Sequence, residues 1–155
     1  MPRRISPSYK KFFNYSSIYN KPIIAKFIIY LMKDGKKSIA ENILYKTLNF
    51  IKNNLKKNPL IILQKAIHKA KPSIGLIYLR QRGRAYQIPK PLSPKLKINL
   101  AIRWIIKKAY ERKEKYTIYQ KLALELLNTS KNQGKVIKLR NELHDSALKN
   151  RGSLR

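Results

Sequence analysis

Cysteine is absent from this chain of 155 residues, which removes disulfides and every zinc site built on thiolates. Histidine is scarce: only His68 and His144 could supply an imidazole. Acids are scarce too, with Asp34, Glu41, Glu111, Glu114, Glu125, Glu142 and Asp145 making up the full set of 7. A two-metal hydrolase or a glycosidase needs carboxylates that converge on one point, and these are scattered along the chain. No enzyme, no metal and no cofactor is expected. Long apolar runs are also missing. Nothing approaches the roughly 20 residues of a membrane helix, so no membrane insertion is expected. No continuous apolar signal segment follows the basic N-terminus.

Positive charge is what the chain has in excess. Lys and Arg number 36 against 7 acids, a formal net charge of +29. A compact domain with that imbalance repels itself. A polyanion that neutralises the surface resolves the problem, and nucleic acid is the commonest one. The hydrophobic fraction is nevertheless 43%, mostly Ile and Leu in periodic runs. That is enough for the core of about one domain and unlike an unstructured basic tail. The richness in Ile, Lys, Asn and Tyr is the bias of an A/T-rich genome.

Residues 1–20 interleave Arg3, Arg4, Lys10 and Lys11 with Tyr9, Phe12, Phe13, Tyr15 and Tyr19. Such a segment can pair with phosphates and stack on bases; a tail with a few aromatics packed on the body is the other reading. It is basic, contains serine and lacks acids, as a presequence does. Pro2 and Pro7 interrupt any clean amphipathic pattern, so we read it as a mature, extended, RNA-seeking arm.

From Pro22 the apolar spacing becomes helical, with Ile23, Ile24, Phe27, Ile28 and Leu31 at three- and four-residue steps. Asp34-Gly35 should stop this helix, with Gly35 at a left-handed C′ position. A second helix is predicted from about Lys37 to Leu55, with Ile39, Ile43, Leu44, Thr47, Leu48, Ile51 and Leu55 as its stripe. Asn58-Pro59 should open a third, with Leu60, Leu63, Ile67 and Ala70 inward, and Lys71-Pro72 should end it. Residues 73–89 switch to alternation around a Gly-containing tip, which predicts a β-hairpin. Arg80, Arg82 and Arg84 crowd that tip, where they suit phosphate or base-edge contact or form an ordinary solvated end.

Ser93-Pro94 should open a fourth helix as Asn58-Pro59 does, with Ile98, Ala101, Ile102, Ile105 and Ala109 inward. Arg103, Lys107 and Tyr110 share another of its faces. A fifth helix is predicted from Thr117 to Asn128, then a polar loop over 129–134. A sixth carries Val136, Leu139, Leu143 and Ala147 inward and Lys135, Lys138, Arg140 and Lys149 outward. The expected fold is mainly α: about six helices in one bundle-like domain over 21–150, with a protruding β-hairpin. The arm precedes it and a short basic tail, 151–155, follows.

Four blocks resemble one family. They are Leu31-Met32-Lys33-Asp34-Gly35-Lys36-Lys37-Ser38 with Ala40-Glu41 and Tyr45; Lys71-Pro72 with Tyr86-Gln87-Ile88-Pro89; Leu100 to Ile106 around Arg103-Trp104; and Lys138 to His144. In order and spacing they are similar to the small-subunit ribosomal protein seven family, universal S-seven. The resemblance implies a helical protein with a β-ribbon. It would bind the 3′ major domain of the small-subunit rRNA and organise the head. The ribbon and last helix would face exit-site tRNA and mRNA, beside the S-eleven family protein. On that basis Lys36, Lys37, Arg103, Trp104 and Lys108 fall in or near the rRNA-binding region. Lys95, Lys107 and Arg112 join them as rRNA-binding candidates, with Arg3, Arg4, Lys10 and Lys11 of the arm. Arg80, Arg82, Gly83, Arg84, Arg140 and Arg151 are the tRNA- and mRNA-facing candidates.

The chain departs from the family pattern in places. Leu79 stands where the bacterial ribbon tip usually has an arginine, and Arg82 where it has a glycine; the aromatic ending of the tail is missing. Glu114 to Ile118 looks like mitochondrial members, which with the composition points to a mitochondrial matrix ribosome; a plastid stroma or a bacterial cytoplasm is the alternative. Trp104 reads as a core anchor or a base-stacking residue, and both histidines as packing or surface hydrogen-bonding groups. Duplex-DNA binding and nuclease activity are the competing functions, the latter needing Asp34, Glu41 or Glu142.

Overall fold

Proline has no N–H to lose at the first helical position, and three of the six helices begin with one. In this computed structural model, which describes residues 21–56, 58–81 and 83–150, α1 spans Pro22–Leu31, α2 Lys37–Leu55 and α3 Pro59–Ala70. The ribbon follows as β1 Ile74–Gln81 and β2 Arg84–Pro91, then α4 Pro94–Tyr110, α5 Ile118–Ser130 and α6 Lys135–Lys149. The fold is mainly α with one antiparallel hairpin, as expected.

α5 packs against α2, α3 and α4, so it forms the centre of the bundle. Phe27, Leu44, Leu48, Ile51, Leu63, Ile102, Ile105, Leu122 and Leu126 are sealed in a shared core. Each large aliphatic side chain so buried contributes about 1.5–3 kcal/mol relative to exposure. Thr47 belongs to the same stripe. Its hydroxyl donates to the Ile43 carbonyl at 2.7 Å and lies 3.3 Å from that of Tyr119, so a buried polar group is satisfied where α2 meets α5. α6 lies on α3 and α4 and also supports both strands.

The helix starts differ in chemistry. The Asn58 side chain accepts from the Leu60 N–H at 3.0 Å, a true N-cap. Ser93 makes no such bond, so the expected likeness to Asn58-Pro59 fails; Pro94 alone marks that start. At α5, Gln120 Oε1 accepts from the Thr117 N–H at 3.1 Å, half of a capping box.

Several sequence expectations need correction. α1 ends at Leu31 with Met32 extended, so Gly35 is not its C′ residue. Instead Asp34 and Gly35 both have positive φ, 50° and 73°, and the Lys36 N–H donates to the Lys33 carbonyl at 3.0 Å. That is a tight turn of the mirror-image kind, which Asp-Gly suits. α5 runs on to Ser130, through the start of the predicted loop. Thr129 and Ser130 turn their hydroxyls back onto the Glu125 and Leu127 carbonyls, at 2.7 Å each, and so stay helical. The ribbon ends later than 89, pairing Ile74 with Pro91 at its base and Gln81 with Arg84 at its tip. Prolines are tolerated there because each strand of a two-stranded ribbon has a free edge. Ile39 and Leu55 are exposed (53% and 37%), and Ala40 takes the inward place. On α6, Leu139 and Leu143 are half-buried while Ile137 is buried.

Candidate nucleic-acid interface

The Asp34-Gly35 turn folds the start of α2 back beside the end of α1, and α4 brings its C-terminal turns to the same place. Lys33 Nζ sits 4.3 Å from the centre of the Tyr110 ring. The Arg103 guanidinium carbon sits 5.0 Å from the centre of the Tyr30 ring. Lys33, Lys36, Ile39 and Tyr110 line a shallow groove floored by Leu31, Ala40 and Ile43, and no acid lines it. Each ring attracts its cation through the quadrupole of its face. The cations are thereby held in place with N–H donors still free to meet an anion. Fixed cations around an apolar floor, with rings at hand, suit a phosphate backbone with its bases.

The sequence candidates divide on this face. Lys36 belongs to the groove; Arg103 does not line it and rests on Tyr30, the residue before Leu31 of its floor. Lys37 lies 3.7 Å from Glu41, one helical turn away. Lys107 and Lys108 both face Glu111, at 4.0 and 2.7 Å. The hydrogen bond from Lys108 is the main reason that the Glu111 carboxyl is held below the usual carboxylate range; the charges of Lys108, Lys107 and Lys135 add to it. Trp104 is half-buried and packs against the core, as its core reading has it, with part of its surface left open. Lys95 is exposed at the other end of α4, about 18 Å along the axis from Lys107 at 1.5 Å per residue. Arg112 is turned inward. Its Nε donates to Glu125 Oε2 at 3.0 Å, its Nη2 forms an ion pair with the same oxygen at 2.9 Å, and its side chain is only 12% exposed. The geometry gives it a structural job and leaves it out of the groove.

Lys33 and Tyr30 were absent from the sequence candidates. Lys33 stood inside the quoted block, but its ring partner Tyr110 is far along the chain, and only packing of α1 on α4 brings the two together.

A second basic region lies at the ribbon. Arg80 is exposed near the tip, and Gly83 takes a positive φ of 76° in the connecting loop. Arg3, Arg4, Lys10, Lys11, Arg82, Arg151 and the side chain of Arg84 lie outside the described residues. Arg140 Nη1 donates to the Lys69 carbonyl at 2.6 Å, in the last turn of α3, where helical carbonyls lack internal partners. His144 Nε2 accepts from the Ser73 N–H at 3.1 Å, and Asn150 Nδ2 donates to Gln87 Oε1 at 3.2 Å. These bonds tie α6 to the end of α3 and the base of the ribbon. His144 is therefore a surface hydrogen-bonding group. His68 is exposed on α3. Among the described residues, no group of three or more His, Asp or Glu side chains could hold a metal ion, and no helix is long and apolar enough to cross a membrane.

Comparison with known proteins covers almost the whole chain. The sequence model of the family described as ribosomal protein S7p/S5e matches residues 2–151. The chain is 36% identical over 151 residues to small ribosomal subunit protein uS7 of Caldicellulosiruptor saccharolyticus, covering 97% of this chain and 96% of the relative. It is 38% identical over 150 residues to the uS7 protein of Dictyoglomus thermophilum, covering 97% and 90%. It is 37% identical over 134 residues to that of Mycoplasmoides gallisepticum, covering 86% of each. With the family pattern matched from the arm to the tail, and relatives above a third identical along nearly their full length, the chain belongs to the ribosomal protein S7p/S5e family.

Proposed function

We propose that this ribosomal protein is a non-catalytic scaffold of the small subunit that binds the 3′ major domain of its rRNA through the α1–α2 turn and α4. It organises the head there and turns its ribbon and α6 toward exit-site tRNA and mRNA, beside the S-eleven family protein. One observation carries the rRNA reading: Lys33 and Lys36, from the α1–α2 turn, line a groove without acids, and Lys33 and the α4 residue Arg103 are each braced on a tyrosine ring. Cations fixed this way neutralise phosphates and release counterions, while Tyr30 and Tyr110 offer edges to bases that leave the rRNA helix. The exposed Arg80 and the basic residues next to it in sequence support the tRNA and mRNA side of the reading.

The test is a salt titration of binding to a transcript of the 3′ major domain, with duplex DNA and an unrelated structured RNA as competitors. Tight binding that survives both competitors is expected. Equal displacement by both would reduce the protein to a generic polycation and remove the specific-site reading. The composition and the Glu114–Ile118 segment favour a mitochondrially encoded copy; the bacterial origin of the relatives above favours a bacterial cytoplasm as the second reading.

A further inference from the structure

A second groove lies at the far end of α2. Leu55, at the end of α2, Ile61 and Ile62 on α3, and Leu127 on α5 form its aliphatic floor, and Lys65 and Lys131 stand on its rim. Ile61 is 59% exposed, the most exposed isoleucine among the described residues. The groove and the rRNA-facing groove lie about 27 Å apart along α2, from Lys37 to Leu55 at 1.5 Å per residue. The two can be occupied together.

The two grooves differ in chemistry. At the first, cations sit on aromatic rings. The second has no aromatic side chain in its lining, so bases find nothing there to stack on. An aliphatic trough between helices is instead the shape that takes the apolar stripe of an amphipathic helix. The rim selects the sign of what flanks that stripe. Its only charged groups are lysines. The nearest acid on these helices, Glu125, is buried and bonded to Arg112. Residues 1–20 of this chain carry four cations and no acid, so the rim repels them. A second copy, with its net charge of +29, is repelled as well.

We infer that the α2–α3–α5 groove docks an acidic amphipathic helical segment of a neighbouring protein in the small subunit, its aliphatic stripe on Ile61 and its acids on Lys65 and Lys131. The inference rests on membership of the ribosomal family and is independent of how the α1–α4 face reads rRNA.

The chain contains no cysteine, so Ile61→Cys supplies a single thiol at an exposed position where unfolding is not at issue. The purified variant protein is labelled with a benzophenone maleimide, reconstituted into small subunits and irradiated, and the cross-linked peptide is sequenced. The expected product is a protein segment with aliphatic residues at helical spacing and flanking Asp or Glu. Adding Lys65→Glu and Lys131→Glu should abolish that product while binding to the 3′ major domain transcript is retained. A cross-link to rRNA, or to residues 1–20 of the same chain, overturns the inference. So does a labelled protein that assembles into subunits and cross-links to nothing.

Discussion

Replacing Arg112 by alanine strips the Glu125 carboxylate of the hydrogen bond from Nε at 3.0 Å and the ion pair with Nη2 at 2.9 Å, both on Oε2. Glu125 is 1% exposed, and its Oε1 has no hydrogen-bond partner among the described residues. Removing one partner of such a buried pair costs about 3–5 kcal/mol, because an uncompensated charge stays behind. For a chain of this size that lowers Tm by about 6–20 °C, at roughly 2–4 °C per kcal/mol. Replacing both partners, Arg112→Met with Glu125→Leu, leaves no orphaned charge and should be close to neutral. Thermal unfolding followed by far-ultraviolet circular dichroism measures both. A single variant that loses less than about 1 kcal/mol, within the range of exposed pairs, would refute the reasoning; so would a double variant as unstable as the single. The double variant also decides what Arg112 does for function. If the residue is structural, the salt slope for rRNA binding stays unchanged; a fall of about 0.7–0.9, one phosphate contact, would put Arg112 on the RNA after all.

Lys33→Ala, Lys36→Ala and Arg103→Ala together should lower the salt slope of binding to the 3′ major domain by about 2–3, one phosphate contact each, with the melting curve little changed. Tyr30→Leu and Tyr110→Leu keep every charge but remove the braces; each should weaken binding by about two- to fivefold, from about 0.5–1 kcal/mol of cation–ring attraction, at constant salt slope. Asn58→Ala should cost about 1 kcal/mol of stability through its lost cap, whereas Ser93→Ala, which removes no cap bond, should cost clearly less; chemical denaturation of the two variants makes the comparison. Glu111, held below its ordinary value by Lys108, contributes stability that is complete above the usual carboxylate range and is lost as pH falls through the lowered value. Lys108→Ala should move its titration, followed by NMR of the carboxyl carbon, back up toward that range; an unmoved titration would deny the hydrogen bond its role.

Elements that declare themselves through short-range chemistry were legible in the sequence. α2 and α3 begin and end within a residue of their predicted limits, and α1 starts where predicted, because proline, an N-cap asparagine and the Lys71-Pro72 stop act on neighbours in the chain. The hairpin was legible because alternation and helical spacing are different periods. Misread boundaries came from side chains that could serve two states: Thr129 and Ser130 look like loop residues, yet their hydroxyls bond helical carbonyls.

Net charge pointed by itself to a polyanionic partner, and the scarcity of acids and the absence of cysteine left little material for catalysis. The spacing of apolar residues settled its helices. Which cations face outward was decided only by tertiary structure. Arg103 and Arg112 sit on consecutive stretches of the same region and look equivalent in sequence. One rests on Tyr30 at the surface; the other turns inward to Glu125. Lys33 entered the candidate face only because α4 carries Tyr110 to it. The physical reason is that a charge is assigned by its partners, and these partners are distant in sequence and adjacent only once the helices have packed.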